Sequence, residues 1–117
     1  MDHSLADRHA LVCGASEGIG RASAIALAEL GASVTLLARR QSKLQELADS
    51  LPSPTAGQRH GWIAVDVNDA EALRTQVSSL ANGRAVHILV NNTAGPPGGP
   101  ANAAQPEDYL AVFRQHL

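Results

Sequence analysis

The sequence predicts an α/β fold in which an open parallel β-sheet is covered by helices on both faces. Three observations support this prediction. Strand-like and helical segments alternate along the chain, the strand-like segments are apolar along their length, and unusual residues follow each of them directly. Continuous apolar strands separated by helices are typical of a parallel sheet that is buried on both sides. Because the connections between parallel strands are right-handed, we expect the strand order 3-2-1-4.

Length and composition indicate one globular domain over residues 1–117. Apolar residues make up 44% of the sequence and charged residues 17%, which excludes an intrinsically disordered chain. A net charge of −2 argues against a nucleic acid or an anionic membrane as partner, and no apolar run reaches the roughly 18 residues that span a bilayer. No signal peptide is evident and Cys13 is the single cysteine, so we predict a cytoplasmic protein without disulfides. We expect Cys13 to be a buried strand residue, and we predict no metal site.

A strand and a helix are predicted at the amino-terminal end. Ala10–Cys13 is a continuous apolar run. The helix Gly18–Leu30 follows it, and apolar residues recur there at helical spacing, at Ile19, Ala22, Ala26 and Leu30. Gly31 is expected to end this helix, because glycine adopts the left-handed backbone conformation of a C-cap without strain.

A second strand and a second helix are predicted next. Ser33–Ala38 is the strand, and the helix runs over Gln41–Leu51. Pro52 and Pro54 are expected to end this helix, because proline cannot continue the backbone hydrogen bonds. The apolar residues of the helix fall on one face: Leu44, Leu47, Ala48 and Leu51.

Two further strands are predicted in the second half of the chain, His60–Val65 and Val86–Asn91. A helix between them is capped by Asn68 or Asp69 and ends at Asn82-Gly83. Its apolar residues lie at helical spacing: Ala70, Leu73, Val77, Leu80 and Ala81. A loop over Asn92–Ala104 and a last helix that begins near Pro106 complete the prediction.

The glycines after the first strand predict a phosphate-binding turn. Gly14, Gly18 and Gly20 stand where a chain must turn out of a strand, let a pyrophosphate approach the backbone, and start a helix close to the sheet. The amino-terminal end of the helix would then offer unpaired N–H groups to the phosphates. Glycine alone would also fit any tight turn.

The other strand ends strengthen this interpretation. Arg39-Arg40, Asp66-Val67 and Asn91–Gly95 follow the second, third and fourth strands directly. In a parallel sheet these points share one edge, where open α/β sheets bind ligands. The sequence therefore predicts a dinucleotide site at the carboxyl edge of the sheet.

Together these residues resemble the short-chain dehydrogenase/reductase family. The family's glycine pattern, Thr-Gly-x-x-x-Gly-x-Gly, corresponds to Cys13–Gly20, its Asp-Val pair to Asp66-Val67, and its Asn-Asn-Ala-Gly to Asn91–Ala94 followed by Gly95. The resemblance covers essentially the whole chain and is greatest with the 3-oxoacyl carrier-protein reductase-like group. It implies a Rossmann-type sheet, here truncated after the fourth strand and the following helix, and an NAD(P)-dependent oxidoreductase of which this chain is the cofactor-binding half.

The resemblance also implies roles for individual residues. Asp66 would accept a hydrogen bond from the adenine amino group, and Val67 would give backbone contacts to the ring. Asn91 would line the ribose side of the cleft, with Thr93 and Ala94 in the same cofactor-binding loop. Two alternatives stay open, namely that Asp66 is a helix-capping acid and that Asn91 only shapes its loop. The cofactor diphosphate and its neighbouring ribose would be surrounded by Gly14, Ser16, Gly18, Ile19 and Gly20.

The end of the second strand predicts which cofactor binds. Enzymes that prefer NAD place an Asp or Glu there, about 20 residues past the glycines, to hold the ribose 2′-hydroxyl. Here Ala38 is followed by Arg39 and Arg40. A guanidinium favours a 2′-phosphate, and a charge-assisted hydrogen bond contributes roughly 1.5–3 kcal/mol. We therefore predict NADP rather than NAD, with Arg39 as the contact, although Glu17 would oppose the phosphate and a solvated charge at a helix start is the alternative for Arg39.

No catalytic residue is assigned in this chain. The family's reaction, hydride transfer between nicotinamide and a carbonyl or alcohol carbon, uses a Tyr-x-x-x-Lys pair on one helix. Here Phe113 stands four residues after Tyr109, the one tyrosine, and Lys43 lies far upstream. His116 occupies the position of the family's catalytic Asn, and we interpret it as a plain helix residue. The chain alone is therefore predicted to be inactive.

Two other functions fit the sequence, a non-catalytic nucleotide-binding module and an inert truncated product. As an enzyme, the full-length protein would act on a small-molecule carbonyl or alcohol substrate and form a homo-oligomer. The fourth strand is expected to leave an exposed apolar edge over Val86–Val90, which predicts marginal stability of the chain alone or pairing with another chain.

Overall fold

The part of the chain that the structure describes, residues 4–15, 18–66 and 68–91 of this computed structural model, forms a four-stranded parallel sheet with helices on both faces. The strand order is β3-β2-β1-β4, so the predicted fold class and strand order are confirmed. The elements are β1 His9–Cys13, α1 Gly18–Glu29, β2 Ser33–Ala38, α2 Gln41–Ser50, β3 Gly61–Ala64, α3 Ala70–Gly83 and β4 Ile88–Asn91.

The element bounds differ from the predicted ones by one or two residues. Both β3 and β4 are shorter than predicted, and α1 and α2 end one residue earlier. The ladder beyond β3 still continues by one hydrogen bond, because the Val65 N–H donates to the Ala38 carbonyl at 2.9 Å. Frayed ends of this kind are common in helices and strands, so the predicted architecture is unaffected.

The side chains of the central strands alternate between two apolar cores. Leu11, Cys13 and Leu37 pack with α3 on one face of the sheet, where the core includes Leu73 and Val77. The other face packs against α1 and α2, and its core includes Val12, Val34, Leu36, Ala24, Ala28, Leu44 and Leu47. Cys13 is fully buried, as predicted. Burying one leucine side chain contributes roughly 1.5–3 kcal/mol, so these two cores carry the stability of the sheet.

The buried face of α1 is not the predicted one. Ile19 is 74% exposed and Leu30 36% exposed, and Ala22 and Ala26 are exposed as well. The buried residues of this helix are Gly20, Ala24 and Ala28. The prediction of an Ile19–Leu30 stripe is wrong because the helix lies so close to the sheet that glycine and alanine make the contact.

The C-cap of α1 and the predicted ends and apolar faces of α2 and α3 are confirmed. The predicted loop over Asn92–Ala104 and the helix that begins near Pro106 lie outside the described residues. Gly31 has φ +100°, the left-handed conformation of a C-cap. The Asp69 carboxylate caps α3 by accepting a hydrogen bond from the Ala72 N–H at 3.1 Å. Leu51, which precedes Pro52, is extended (φ −65°, ψ 138°), so α2 stops there.

Strand β4 forms one edge of the described sheet. Its predicted exposure is only partial, since Val86 is 6% exposed and Ile88 to Val90 are half-buried. Leu89 packs against the core on the α3 face and Val90 against the core on the other face. Within the described ranges, no helix has the length and apolar character that a membrane crossing requires.

Candidate functional site

The carboxyl ends of the four described strands lie together at one edge of the sheet. Cys13, the last residue of β1, is in register with Leu37 of β2 and with Asn91 of β4. Ala38 of β2 is in register with Ala64 of β3. The described residues at and just after these strand ends, namely Gly14, Arg39, Asp66 and Asn91, therefore share one edge, as predicted. From β3 to β4 this edge spans three strand spacings, about 14 Å.

The glycine turn after β1 has a geometry that side chains would block. Gly14 and Gly18 have φ +73° and +64°, the left-handed region. A Cβ on Gly20 would overlap the carbonyl oxygen of Gly14 and would lie 2.8 Å from its carbonyl carbon. The first turn of α1 therefore lies directly against the end of β1, which brings its free N–H groups to the edge. Ser16 and Glu17 lie outside the described residues.

The turn is fixed to the neighbouring strand. The Gly14 N–H donates to the Leu37 carbonyl at 2.8 Å, and the Ala15 N–H reaches the same oxygen at 3.4 Å. Ala15 is fully buried. Ile19, one residue before the close approach at Gly20, presents a large apolar surface at the same edge. The arrangement is a rigid backbone cradle beside an exposed apolar side chain.

Two cations follow β2. Ala38 is 7% exposed and offers no polar group, whereas Arg39 and Arg40 are exposed. The Arg40 carbonyl accepts a hydrogen bond from the Leu44 N–H at 3.2 Å, and its side chain makes no capping hydrogen bond. Both residues thus directly precede the amino-terminal end of α2, where the helix dipole is also positive.

Asp66 forms a turn after β3 rather than a helix cap. Its Oδ1 accepts a hydrogen bond from the Asn68 N–H at 2.9 Å, and its carbonyl accepts one from the Asp69 N–H at 2.9 Å. The cap of α3 is Asp69, so the capping alternative for Asp66 does not hold. The Asp66 side chain is exposed at the carboxyl edge. Val67 lies outside the described residues.

Asn91 closes the edge on the other side of β1. It is the last residue of β4, is exposed, and lies opposite Cys13 in the ladder. Thr93 and Ala94, which the sequence assigns to the same site, lie outside the described residues, as do Tyr109 and His116. Among the described residues, no cluster of His, Cys, Asp and Glu is suited to hold a metal ion.

The opposite edge of the sheet carries a histidine network that the sequence analysis missed. His9 Nδ1 lies 3.0 Å from the Ala85 carbonyl, and Nε2 lies 2.7 Å from Thr35 Oγ1. Because a carbonyl only accepts, Nδ1 carries a proton, and in the neutral ring Nε2 accepts from the Thr35 hydroxyl. Burial, reinforced by the charge of Arg84, lowers the pKa of His9 to about 4.

Two more histidines act as hydrogen-bond acceptors at this edge. His87 Nδ1 accepts from the His9 N–H at 3.0 Å. His60 Nδ1 accepts from the Val34 N–H at 3.0 Å, and its Nε2 donates to the Pro52 carbonyl at 2.8 Å. The sequence does carry a signal for this network, because Arg and His residues stand at or just before the starts of three strands, as Arg8-His9, Arg59-His60, and Arg84 with His87.

The chain is similar to known proteins of one kind over most of its length. The family model described as short chain dehydrogenase matches residues 8–116. L-xylulose reductase of Mesocricetus auratus is 39% identical over 94 residues, which cover 80% of this chain and 35% of that protein.

Solved structures of reductases are also similar to this chain over nearly all of its length. L-sorbose reductase of Gluconobacter frateurii, complexed with NADPH and L-sorbose, is 30% identical with a TM-score of 0.73 and covers 100% of this chain and 48% of that one. A 3-oxoacyl (acyl-carrier-protein) reductase from Agrobacterium tumefaciens C58, with NADP bound, is 29% identical with a TM-score of 0.69, over 97% of this chain and 43% of that one. The chain thus spans about a third to a half of the length of these relatives.

Proposed function

The chain belongs to the short chain dehydrogenase family, and from this premise we propose that it forms the cofactor-binding half of an NADP-dependent oxidoreductase. The bound nicotinamide would supply or accept the hydride, and the other reactant would be a small-molecule carbonyl or alcohol. The residues of this chain would bind and orient the cofactor. The observation that carries the proposal is the convergence of the four strand ends at one edge.

The glycine turn fits the cofactor diphosphate. At Gly20 the backbone comes so near to Gly14 that a Cβ would overlap the Gly14 carbonyl oxygen, so the first turn of α1 begins directly at the end of β1. The free N–H groups of that turn and the positive end of the helix dipole favour a pyrophosphate. We assign this role to Gly14, Gly18 and Gly20, with Ile19 covering the cofactor from the side and Ser16 in the same turn.

The end of β2 favours NADP over NAD. Ala38 lacks the carboxylate that would accept a hydrogen bond from a ribose 2′-hydroxyl, and Arg39 follows it as an exposed cation. A 2′-phosphate would meet both guanidinium groups of Arg39 and Arg40 and the positive end of α2. The neighbours that were solved with NADP or NADPH support the same cofactor.

The adenine and nicotinamide ends of the cofactor are assigned to the outer strands. Asp66 would accept a hydrogen bond from the adenine amino group, next to backbone contacts from Val67. The bond to the Asn68 N–H uses Oδ1 and orients the carboxylate, so Oδ2 is the acceptor for the ligand. Asn91, with Thr93 and Ala94 after it, would line the ribose on the other side of β1.

The substrate is proposed only by class. The relatives carry the names of sugar reductases and of a 3-oxoacyl reductase, and all of these names denote reduction of a carbonyl group. We propose a small carbonyl or alcohol compound, acted on by a cytoplasmic homo-oligomer. The buried thiol of Cys13 supports a reducing compartment, and β4, at the edge of the described sheet, supports pairing with further chain.

Replacement of Arg39 by Asp tests the cofactor assignment. Titration with NADPH and with NADH should show that Arg39→Asp lowers the affinity for NADPH relative to NADH by about tenfold to a hundredfold, because a charge-assisted hydrogen bond is lost. Arg8→Asp makes the same charge change at the opposite edge of the sheet and should leave the ratio of the two affinities unchanged. An unchanged ratio in Arg39→Asp would show that Arg39 has no part in cofactor choice.

Turnover of a carbonyl substrate by this chain would exclude both a non-catalytic module and an inert product.

A further inference from the structure

A pocket of about 240 Å³ lies at the amino-terminal edge of the sheet, opposite the candidate cofactor site. Its walls come from residues at or just before the starts of all four described strands. One water molecule takes about 30 Å³ of liquid volume, so the pocket has room for several waters. It is smaller than the roughly 300–1,000 Å³ of sites for drug-sized ligands. The pocket therefore has room for a small hydrated ion.

The charges that line this pocket are mostly positive. Arg8, Arg59 and Arg84 face one carboxylate, that of Asp7. Within the described ranges, none of the three arginines forms an ion pair with Asp7 or with another carboxylate. Arg84 Nη2 instead donates to the Arg59 carbonyl at 3.2 Å. The pocket thus has an excess of positive charge.

The crowding of these cations has a cost. Arg84 is partly buried, and both its desolvation and the neighbouring charge of Arg59 lower its pKa. Like charges that are held together and partly removed from water destabilise the folded chain. A bound anion would relieve this repulsion, because Coulomb attraction between an anion and two guanidinium groups is stronger at a partly buried site than in water.

Neutral hydrogen-bond donors complete the lining. Ser33 is 8% exposed, and its Oγ accepts a hydrogen bond from the Arg59 N–H at 2.9 Å, which leaves the hydroxyl proton to donate. His87 accepts at Nδ1 from the His9 N–H, so the proton of its neutral ring is on Nε2. The His9 ring is engaged by Ala85 and Thr35 and supports the wall without donating to a ligand.

We propose that this pocket binds a small, doubly charged oxyanion of the size of inorganic phosphate. A guanidinium group can donate two parallel hydrogen bonds at once to two oxygen atoms of such an ion. The hydroxyl of Ser33 and the Nε2–H of His87 add donors of lower charge. This site is separate from the proposed cofactor site, and neither depends on the other.

Titration of the ¹⁵N-labelled chain with inorganic phosphate, followed by NMR, tests the proposal. The expected result is a saturable shift of the backbone amides of Arg59, Ala85 and His87, which chloride at the same ionic strength does not produce. Arg84→Gln should weaken the affinity at least tenfold, about one charge-assisted hydrogen bond. Arg74→Gln removes an equal charge from the preceding helix, outside the pocket, and should leave the affinity unchanged. Arg84→Lys keeps the positive charge but not the paired N–H donors of the guanidinium group, so its phosphate affinity should lie between those of the wild type and Arg84→Gln.

Phosphate also has a place to bind at the carboxyl edge, and the variants separate the two sites. Arg39→Gln should leave the shifts of Ala85 and His87 intact. If Arg39→Gln abolishes phosphate binding and Arg84→Gln does not, phosphate binds at the candidate cofactor site and the proposal is wrong. The proposal is also wrong if the Ala85 and His87 amides do not shift when phosphate is added up to about 10 mM, a concentration at which even a very weak site would bind.

Discussion

Single residues fix the shape of the candidate cofactor site, and Gly20 shows how. Gly18 needs glycine for its backbone conformation alone, since nothing lies within 4 Å of a Cβ built there. Gly20 needs glycine for space, because its neighbour is the main chain of Gly14, which cannot rotate away as a side chain would. Spacing alone does not tell which glycine meets the strand, so these roles could be predicted for the glycine group but not for the individual residues.

Replacement of Gly20 by alanine should therefore damage the turn. We expect Gly20→Ala to lower the free energy of unfolding by about 1–3 kcal/mol, the usual cost of forcing an extra methyl group into a filled space, and to weaken NADPH binding with it. Gly83→Ala is the matched control, because nothing lies within 4 Å of a Cβ at the end of α3. Urea unfolding and NADPH titration of both variants measure the effect. Equal stability of the two variants would contradict the proposed contact.

His9 predicts a pH dependence of stability at the other edge. Its pKa in the folded chain is about 4, below the ordinary 6.5, with burial as the largest cause. The unfolded chain therefore binds more protons between these values, so stability is full above pH 6.5 and is lost as the pH falls toward 4. From pH 7 to pH 5 this residue should cost about 2 kcal/mol.

Urea unfolding of the wild-type chain and of His9→Gln at pH 7 and pH 5 measures this loss. Glutamine cannot be protonated, so the variant should be less stable at pH 7 but should lose about 2 kcal/mol less between the two pH values. A His9→Gln chain with the full wild-type pH dependence would show that His9 is not the group responsible.

At the scale of the elements, strands were easier to predict from sequence than the contact face of α1. Ser33–Ala38 is apolar at most positions and its bounds were predicted correctly, because a strand that is buried on both faces has little choice of composition. The faces of α2 and α3 were also predicted correctly, since leucine and valine mark them. In α1 the larger residue Ile19 lies outward and the contact is made by Gly20, Ala24 and Ala28. Helical periodicity does not distinguish these faces, because alanine lies on both of them: Ala24 and Ala28 are buried, whereas Ala22 and Ala26 are exposed.

Two acidic residues in the turn before α3 have different expected roles: Asp69 stabilises the helix, and Asp66 is proposed to bind the cofactor. Asp69→Ala should lower the free energy of unfolding by about 1 kcal/mol, because it removes the N-cap of α3, and should change NADPH affinity little. Asp66→Ala should change the free energy of unfolding little, because Asp66 is exposed, and should weaken NADPH binding, because Asp66 is proposed to bind the adenine. Urea unfolding and NADPH titration of the two variants check this exchange of effects. If Asp66→Ala binds NADPH as tightly as the wild type, the adenine assignment is wrong.

At the scale of the whole molecule, one sheet presents different chemistry at its two edges. The carboxyl edge combines a glycine turn with Arg39 and Asp66, and its position was predictable because each group comes just after a strand and the carboxyl ends of parallel strands share one edge. The amino-terminal edge was not predicted. Its residues, such as Arg8, Arg59 and Arg84, are far apart along the chain, and only the strand order β3-β2-β1-β4 brings them to one pocket.

The most direct test of the central claim is an NMR titration of the labelled chain with NADPH. If the four strand ends form one dinucleotide site, the backbone amides of Gly14, Gly18, Gly20, Asp66 and Asn91 should shift together along a single binding curve. Those of Ser33 and His87, at the opposite edge, should stay in place. Shifts confined to the amino-terminal edge, or an unchanged spectrum at saturating NADPH, would contradict the account.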